Sequence, residues 1–187
     1  MKKFFFNPIE DHTYSIVGYE GDELNVLIPD NYGGTKVTVI CDKVFTGHSE
    51  IASVTVPDTV TDMGEFVFES CYNLKYIKLS SELRYLWGYT FCRCGIEEII
   101  LPDKLKSIPP FAFKECKNLK RVVCGAEMKK IYSWAFAGCD NLKEVIHKDD
   151  VEISPDAFKD KKLNIKIMTK GLKLPFAICH LFSYAQT

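Results

Sequence analysis

Eight cysteines and four histidines give this chain its widest scope for chemistry. Four of the cysteines form a column, because Cys71, Cys94, Cys116 and Cys139 each lie three residues after a phenylalanine. A metal site needs ligands that converge on one point, whereas equivalent positions in successive units run along a line. Cys92-Arg93-Cys94 is C-x-C and not the C-x2-C of a zinc half-site. One cysteine per unit supplies no built-in disulfide partner, even where neighbouring units come within bridging distance. The reading that remains is a small, soft apolar side chain in a tight inward position. Cys41, Cys92 and Cys124 belong to no column, and the cysteine usage leans towards a reducing compartment. His12, His48, His147 and His180 are scattered, with no spacing that makes a triad or a metal pair. No glycine-rich phosphate loop, G-x-S-x-G or H-E-x-x-H occurs. The expectation is a non-enzymatic chain with no metal and no cofactor.

The elements that position these residues are repeats. Six phenylalanines, Phe45, Phe68, Phe91, Phe113, Phe136 and Phe158, recur at spacings of 23, 23, 22, 23 and 22. Five residues before them stand Ile40, Met63, Leu86, Ile108, Ile131 and Ile153. Each short spacing has a visible deletion. Ile96 follows Phe91 by five residues where Leu74 follows Phe68 by six, and Val151 precedes Phe158 by seven where Leu105 precedes Phe113 by eight. Each unit starts as a strand of the form L-x-x-L-x-L, for example Leu74-Lys75-Tyr76-Ile77-Lys78-Leu79. A turn follows, often Pro-Asp, as at Pro57-Asp58 and Pro102-Asp103. A second apolar pair comes next, then a short helix or turn that carries Phe and Cys.

A unit of 22–23 residues lies in the leucine-rich-repeat range, and one unit cannot bury its own apolar face. The fold class expected is an α/β-type repeat solenoid, with parallel strands on a concave face and short helices or turns on the convex one. At ~4.8 Å per layer, six layers span roughly 30 Å. The segment Val54-Thr55-Val56-Pro57-Asp58-Thr59-Val60-Thr61-Asp62-Met63-Gly64-Glu65-Phe66-Val67-Phe68-Glu69-Ser70-Cys71-Tyr72-Asn73-Leu74 resembles the BspA-type leucine-rich repeat. That pattern runs variable strand, Ile-Pro, Val-Thr-x-Ile-Gly, Ala-Phe, x-x-Cys-x-x-Leu. The resemblance covers about residues 13–167. Trp87, Pro109 and Tyr132 stand where Gly64 stands, and Lys161 stands at the cysteine position of the last unit. The resemblance implies protein–protein interaction, in a family whose members are often bacterial or protozoan surface proteins linked to adhesion.

Composition sets further bounds. Apolar residues make up 47% and charged residues 26%, the balance of a folded globular chain and not of a disordered one. Lys and Arg number 24 against 25 Asp and Glu, so the chain lacks the basic excess of a nucleic-acid binder. No apolar run reaches the ~18 residues of a membrane span. Lys2, Lys3 and Phe4-Phe5-Phe6 imitate an export signal, but the apolar stretch ends at Asn7. A cytoplasmic location is expected, with the cell surface or secretion as the alternative. Residues 1–28 are expected to form a hairpin-like cap that includes Leu24, Val26 and Ile28, residues 29–167 the repeats, and residues 168–187 a capping helix.

Two columns are candidate binding surfaces. Strand alternation sends the x positions outward. One outward column reads Thr55, Lys78, Ile100, Val123, Ile146 and Lys166, and its neighbour Ser53, Tyr76, Glu98, Arg121 and Glu144. The aliphatic strip Ile100, Val123 and Ile146 beside Tyr76 and Arg121, rimmed by Lys78, Glu98 and Glu144, has the make-up of a protein interface. The second column, Phe66, Tyr89, Phe111 and Trp134, lies two residues before each phenylalanine, with Lys43 and Asp156 at its ends. It is read either as rings that stack and stiffen the solenoid or as a track for a glycan or a partner chain. The function expected is a protein-interaction module; the alternatives are an adhesin fragment and a carbohydrate-binding module.

Overall fold

The L-x-x-L-x-L segments form short strands that pair in parallel from one unit to the next, because each must hide its inward residues against its neighbours. The computed structural model describes residues 2–159 and the strand Lys166–Thr169. A front sheet is built from β3 (Asn25–Leu27), β6 (Ser53–Thr55) and β8 (Tyr76–Lys78). It continues in β10 (Glu98–Ile100), β12 (Arg121–Val123), β14 (Glu144–His147) and β16 (Lys166–Thr169). Their register is unbroken within each group, with Ser53 opposite Tyr76 and Glu98 opposite Arg121 opposite Glu144. The second apolar pair of each unit forms a side sheet. Its strands are β2 (Tyr14–Glu20), β5 (Thr35–Ile40), β7 (Asp62–Met63) and β9 (Tyr85–Leu86), then β11 (Ser107–Ile108), β13 (Lys130–Ile131) and β15 (Glu152–Ile153).

Both sheets change ladder at the same layer, between β8 and β10 and between β9 and β11. This is the unit shortened between Phe91 and Ile96. The shortened loop draws Gly95 against the preceding layer, where its N–H donates to the Cys71 carbonyl at 3.2 Å. A Cβ on Gly95 would lie 2.1 Å from the Tyr72 carbonyl oxygen, so this approach requires glycine.

The core is a column of rings. Phe45, Phe68, Phe91, Phe113 and Phe136 are fully buried. With Phe158 they stack at centroid distances of 5.1 to 5.6 Å, nearly parallel. The first ring is covered by the N-terminal hairpin, in which β1 (Lys3–Pro8) pairs antiparallel with β2. Tyr19 and Phe4 lie 5.0 and 6.4 Å from Phe45, and the Tyr19 hydroxyl donates to Glu23 Oε2 at 2.5 Å. The short strand β4 (Asn31–Tyr32) pairs with β5. Of the residues read with the cap Leu24 is exposed, whereas Val26 and Ile28 are buried, and Val26 is in register with Val54 on β6. The alternation of Val26 and Ile28 matches that of Val54 and Val56, so the first front rung is already a repeat rung. The capping helix expected over residues 168–187 lies outside the described residues, except that residues 168 and 169 end strand β16.

No helix occurs among the described residues, which corrects the expectation of short helices on the convex side. Turns take their place. The residues two before and two after each phenylalanine from Phe45 to Phe136 adopt left-handed backbone: Lys43, Phe66, Tyr89, Phe111 and Trp134 before, and Gly47, Ser70, Arg93, Glu115 and Gly138 after. Left-handed residues four positions apart, one at each side of the ring, break the i→i−4 bonding of a helix. The amides point instead along the stack. Lys43, Phe45 and Gly47 donate to the carbonyls of Glu65, Val67 and Glu69 at 2.9, 2.9 and 2.8 Å. Phe66, Phe68 and Ser70 repeat the pattern one layer on, to Gly88, Thr90 and Cys92. The convex side is thus a third hydrogen-bonded ladder.

Only two of these ten left-handed positions carry glycine, so the ladder offsets a steric cost of about 1 kcal/mol or more at each of the others. Glu115, at φ 58°, tests this. Glu115→Val, which is β-branched and badly suited to left-handed backbone, is expected to destabilise the protein by about 1–2 kcal/mol, and Glu115→Asn to leave it near wild type. Chemical denaturation of the two variants measures the difference.

Candidate functional site

Alternation along the front strands places Tyr76 and Lys78 outward on β8, and Glu98 and Ile100 outward on β10. Tyr76 is 67% and Ile100 47% exposed, and Leu27, outward on β3, is 62% exposed. Arg121 and Glu144 face each other in register and form an ion pair at 3.3 Å. The aliphatic strip is a different matter. Val123 and Ile146 are 7% and 3% exposed, so of the three only Ile100 offers apolar surface to a partner. Val123 lies in register between Ile100 and Ile146, and Ile146 between Val123 and Met168. Single-strand alternation does not reveal this difference in burial along one column. The open part of the face is therefore Tyr76, Lys78, Glu98 and Ile100, with Arg121 and Glu144 neutralising each other beside it.

The aromatic column is a continuous stack. Phe66–Tyr89 and Tyr89–Phe111 centroids are 4.7 Å apart, and Phe111–Trp134 6.0 Å. Lys43 Nζ lies 5.7 Å over Phe66 at one end and Lys159 Nζ 3.8 Å over Trp134 at the other. Tyr89 and Phe111 are thus covered by rings on both faces, and cations close the ends. A sugar needs a free ring face to lie on. The ladder presents ring edges, which suits stiffening of the convex turns.

The cysteine column has a defined role. Cys71 Sγ donates to the Phe45 carbonyl at 3.1 Å, and Cys94, Cys116 and Cys139 donate to the carbonyls of Phe68, Phe91 and Phe113 at 2.9 Å each. Each thiol caps the turn of the preceding layer, a task that alanine, which has no side-chain donor, cannot perform. Burial pushes the Cys71 thiol up to about 12 and Cys92 to about 11. Burial also holds Cys94 and Cys116 well above the ordinary thiol range. These thiols are poor nucleophiles. The histidines do not converge. His12 is exposed on the hairpin turn, His48 Nδ1 pairs with Glu50 Oε1 at 2.5 Å, and His147 fills an inward core position with Nδ1 2.5 Å from the Lys148 carbonyl. His180 lies outside the described residues. Among the described residues no three His, Cys, Asp or Glu side chains are placed to hold a metal ion, and no helix is long and apolar enough to cross a membrane.

Sequence reasoning passed over the side sheet. Tyr85 is 59% and Trp87 55% exposed there, between two surface grooves. The signal was present as a departure from the repeat, since Trp87 occupies the position of Gly64. A large ring at an outward position that takes glycine in the layer before is not required by the stack.

Two measurements follow from these placements. Alkylation of the folded protein at pH 8, mapped by mass spectrometry, is expected to modify the half-buried Cys41 before Cys71, Cys94, Cys116 and Cys139, which react only on unfolding. Ile146→Glu is expected to destabilise the protein by roughly 2–4 kcal/mol, because a charge enters a buried site, and Ile100→Glu by less than about 1 kcal/mol. Equal melting temperatures for the two variants would refute the difference in burial.

Comparison with known proteins agrees with this architecture. The family model of the BspA-type leucine-rich repeat region matches residues 38–164 in six copies. No curated protein matched. Among solved structures, a leucine-rich repeat protein of T. pallidum is 29% identical with a TM-score of 0.74, over 76% of this chain and 68% of that one. A leucine-rich cell surface protein of Faecalibacterium prausnitzii is 24% identical with a TM-score of 0.69, over 86% of this chain and 42% of that one. The pneumococcal vaccine antigen PcpA is 16% identical with a TM-score of 0.70, over 89% of this chain and 48% of that one. The chain spans less than half the length of the last two proteins. With its ring column, its cysteine caps and its six matched repeats, the chain belongs to the BspA-type leucine-rich repeat family.

Proposed function

We propose that the chain is a non-catalytic protein-interaction module that binds a partner protein on the front sheet. The observation that carries this reading is the exposure of Leu27, Tyr76 and Ile100 among charged neighbours on one rigid face. Large apolar groups set in a charged surface mark interfaces, and tyrosine is among the residues that anchor them. The residues assigned to the contact are Tyr76, Lys78, Glu98 and Ile100, with the Arg121–Glu144 pair at its rim. Rigidity supports the reading as well. A stack bonded on three sides loses little conformational freedom on binding. Glycan binding by the aromatic ladder is disfavoured by its covered ring faces. A reducing compartment is part of the proposal, supported by thiols that serve as hydrogen-bond donors, a role a disulfide would end.

The test compares the wild type with a Tyr76→Ala, Lys78→Glu, Ile100→Glu variant in quantitative capture from source-cell lysate, after equal folding is confirmed by circular dichroism. A partner held by the wild type is expected to bind the variant roughly tenfold or more weakly, the scale of losing an interface anchor. A partner held equally by both would move the binding site off this face.

A further inference from the structure

The side sheet carries a groove that the front-face reading does not use. It is an open groove of about 580 Å³ in which the half-buried Val39 supplies apolar surface, and Trp87 forms one wall. The groove exists because successive layers differ. At Gly64 there is no side chain, and Asp42 Oδ1 leans over that glycine to accept the Glu65 amide at 2.7 Å. A Cβ on Gly64 would meet this oxygen at 2.2 Å, so the groove cannot be narrowed from that position without displacing Asp42. One layer on, the equivalent residue is the exposed indole of Trp87.

Three carboxylates line the groove: Asp42, Asp62 and Glu65. Some carboxylates elsewhere on the surface meet cations of an adjacent layer, as in Glu69 with Arg93, Glu97 with Lys120, and Glu152 with Lys130. Among the described residues Asp42, Asp62 and Glu65 have no such ion pair. The reason is in the register. Asp62 stands between Val39 and Tyr85, whereas Lys130 of the same sheet stands beside Glu152. The groove therefore combines the apolar surface of Val39, an exposed indole and three carboxylates outside any ion pair.

We propose that this groove docks a basic, extended peptide segment of a partner protein. An arginine of that segment would lie against the Trp87 ring within reach of Asp62 and Glu65, and an adjoining apolar side chain would cover Val39. Planar guanidinium stacking on an indole and bidentate pairing with carboxylates are the interactions arginine makes best. The site is separate from the front sheet and does not depend on the function assigned there.

The test is isothermal titration of the full chain with an amidated pentapeptide in which two arginines flank a leucine, and with its counterpart carrying two glutamates. Saturable binding of the arginine peptide alone is expected, weakening as salt is raised. An Asp62→Asn, Glu65→Gln variant is expected to bind roughly fivefold to tenfold more weakly, the scale of two partly exposed ion pairs. Trp87→Ala tests the indole with all carboxylates kept and is expected to weaken binding by a similar factor. Ile100→Glu, on the front sheet, is expected to bind as the wild type does, so failure of this site and failure of the front-face reading are told apart. The proposal is overturned by absence of saturable binding to the arginine peptide, by equal binding of the glutamate peptide, or by undiminished binding in both groove variants.

Discussion

Each layer of this protein must rise by the same amount on three sides at once. Parallel strands repeat at about 4.8 Å. The buried phenylalanines repeat at centroid distances of 5.1 to 5.6 Å, slightly more than the strand spacing, as offset rings do. The convex turns meet the same step through amide-to-carbonyl bonds from one layer to the next. A turn that satisfies this demand has to aim its amides along the stack, and left-handed residues on either side of each phenylalanine do that. Local strain at the turn is thus held in place by long-range bonding, and helix is excluded for the same reason.

This shared step explains which residues repeat and which vary. Positions inside the step are nearly invariant in character: phenylalanine at the centre, cysteine donating to the carbonyl of the layer before, small residues beside the ring. Outward positions feel no such demand. Thr55, Lys78 and Ile100 share one column and differ in size and charge, and Gly64 and Trp87 share another. The binding surfaces proposed above draw on these free positions. Chemistry that looked available in the cysteine column and the aromatic ladder is absorbed by the stack, the thiols as caps and the rings as one another's partners.

The repeat register, the ring column, the parallel strands and the inward cysteines were all legible in the chain. Periodicity is a one-dimensional signal, and a stack of near-identical layers converts it directly into position. The convex turns were not legible, because Phe-x-x-Cys fits a helical turn and a left-handed turn equally well. Only the neighbouring layer, by accepting the amides, decides between them. The same holds at the N-terminus, where the alternation of Val26 and Ile28 reads as cap or as rung until β6 supplies the partner.

For the surface the division is sharper. The residue types of the front face follow from strand alternation, and Tyr76, Lys78, Glu98 and Ile100 stand outward as the pattern requires. The burial of Val123 and Ile146 does not follow from it, because exposure depends on what lies beside a side chain in other layers. The groove at Trp87 is likewise a product of stacking, since a glycine in one layer and an indole in the next enclose a space that neither residue implies alone. The chain by itself determined the fold, through a period that only stacked layers can satisfy. The tertiary structure alone decided which outward residues meet water and which carboxylates lack a cation, because both depend on contacts between residues some 20 positions apart in sequence that one rise of the solenoid brings together.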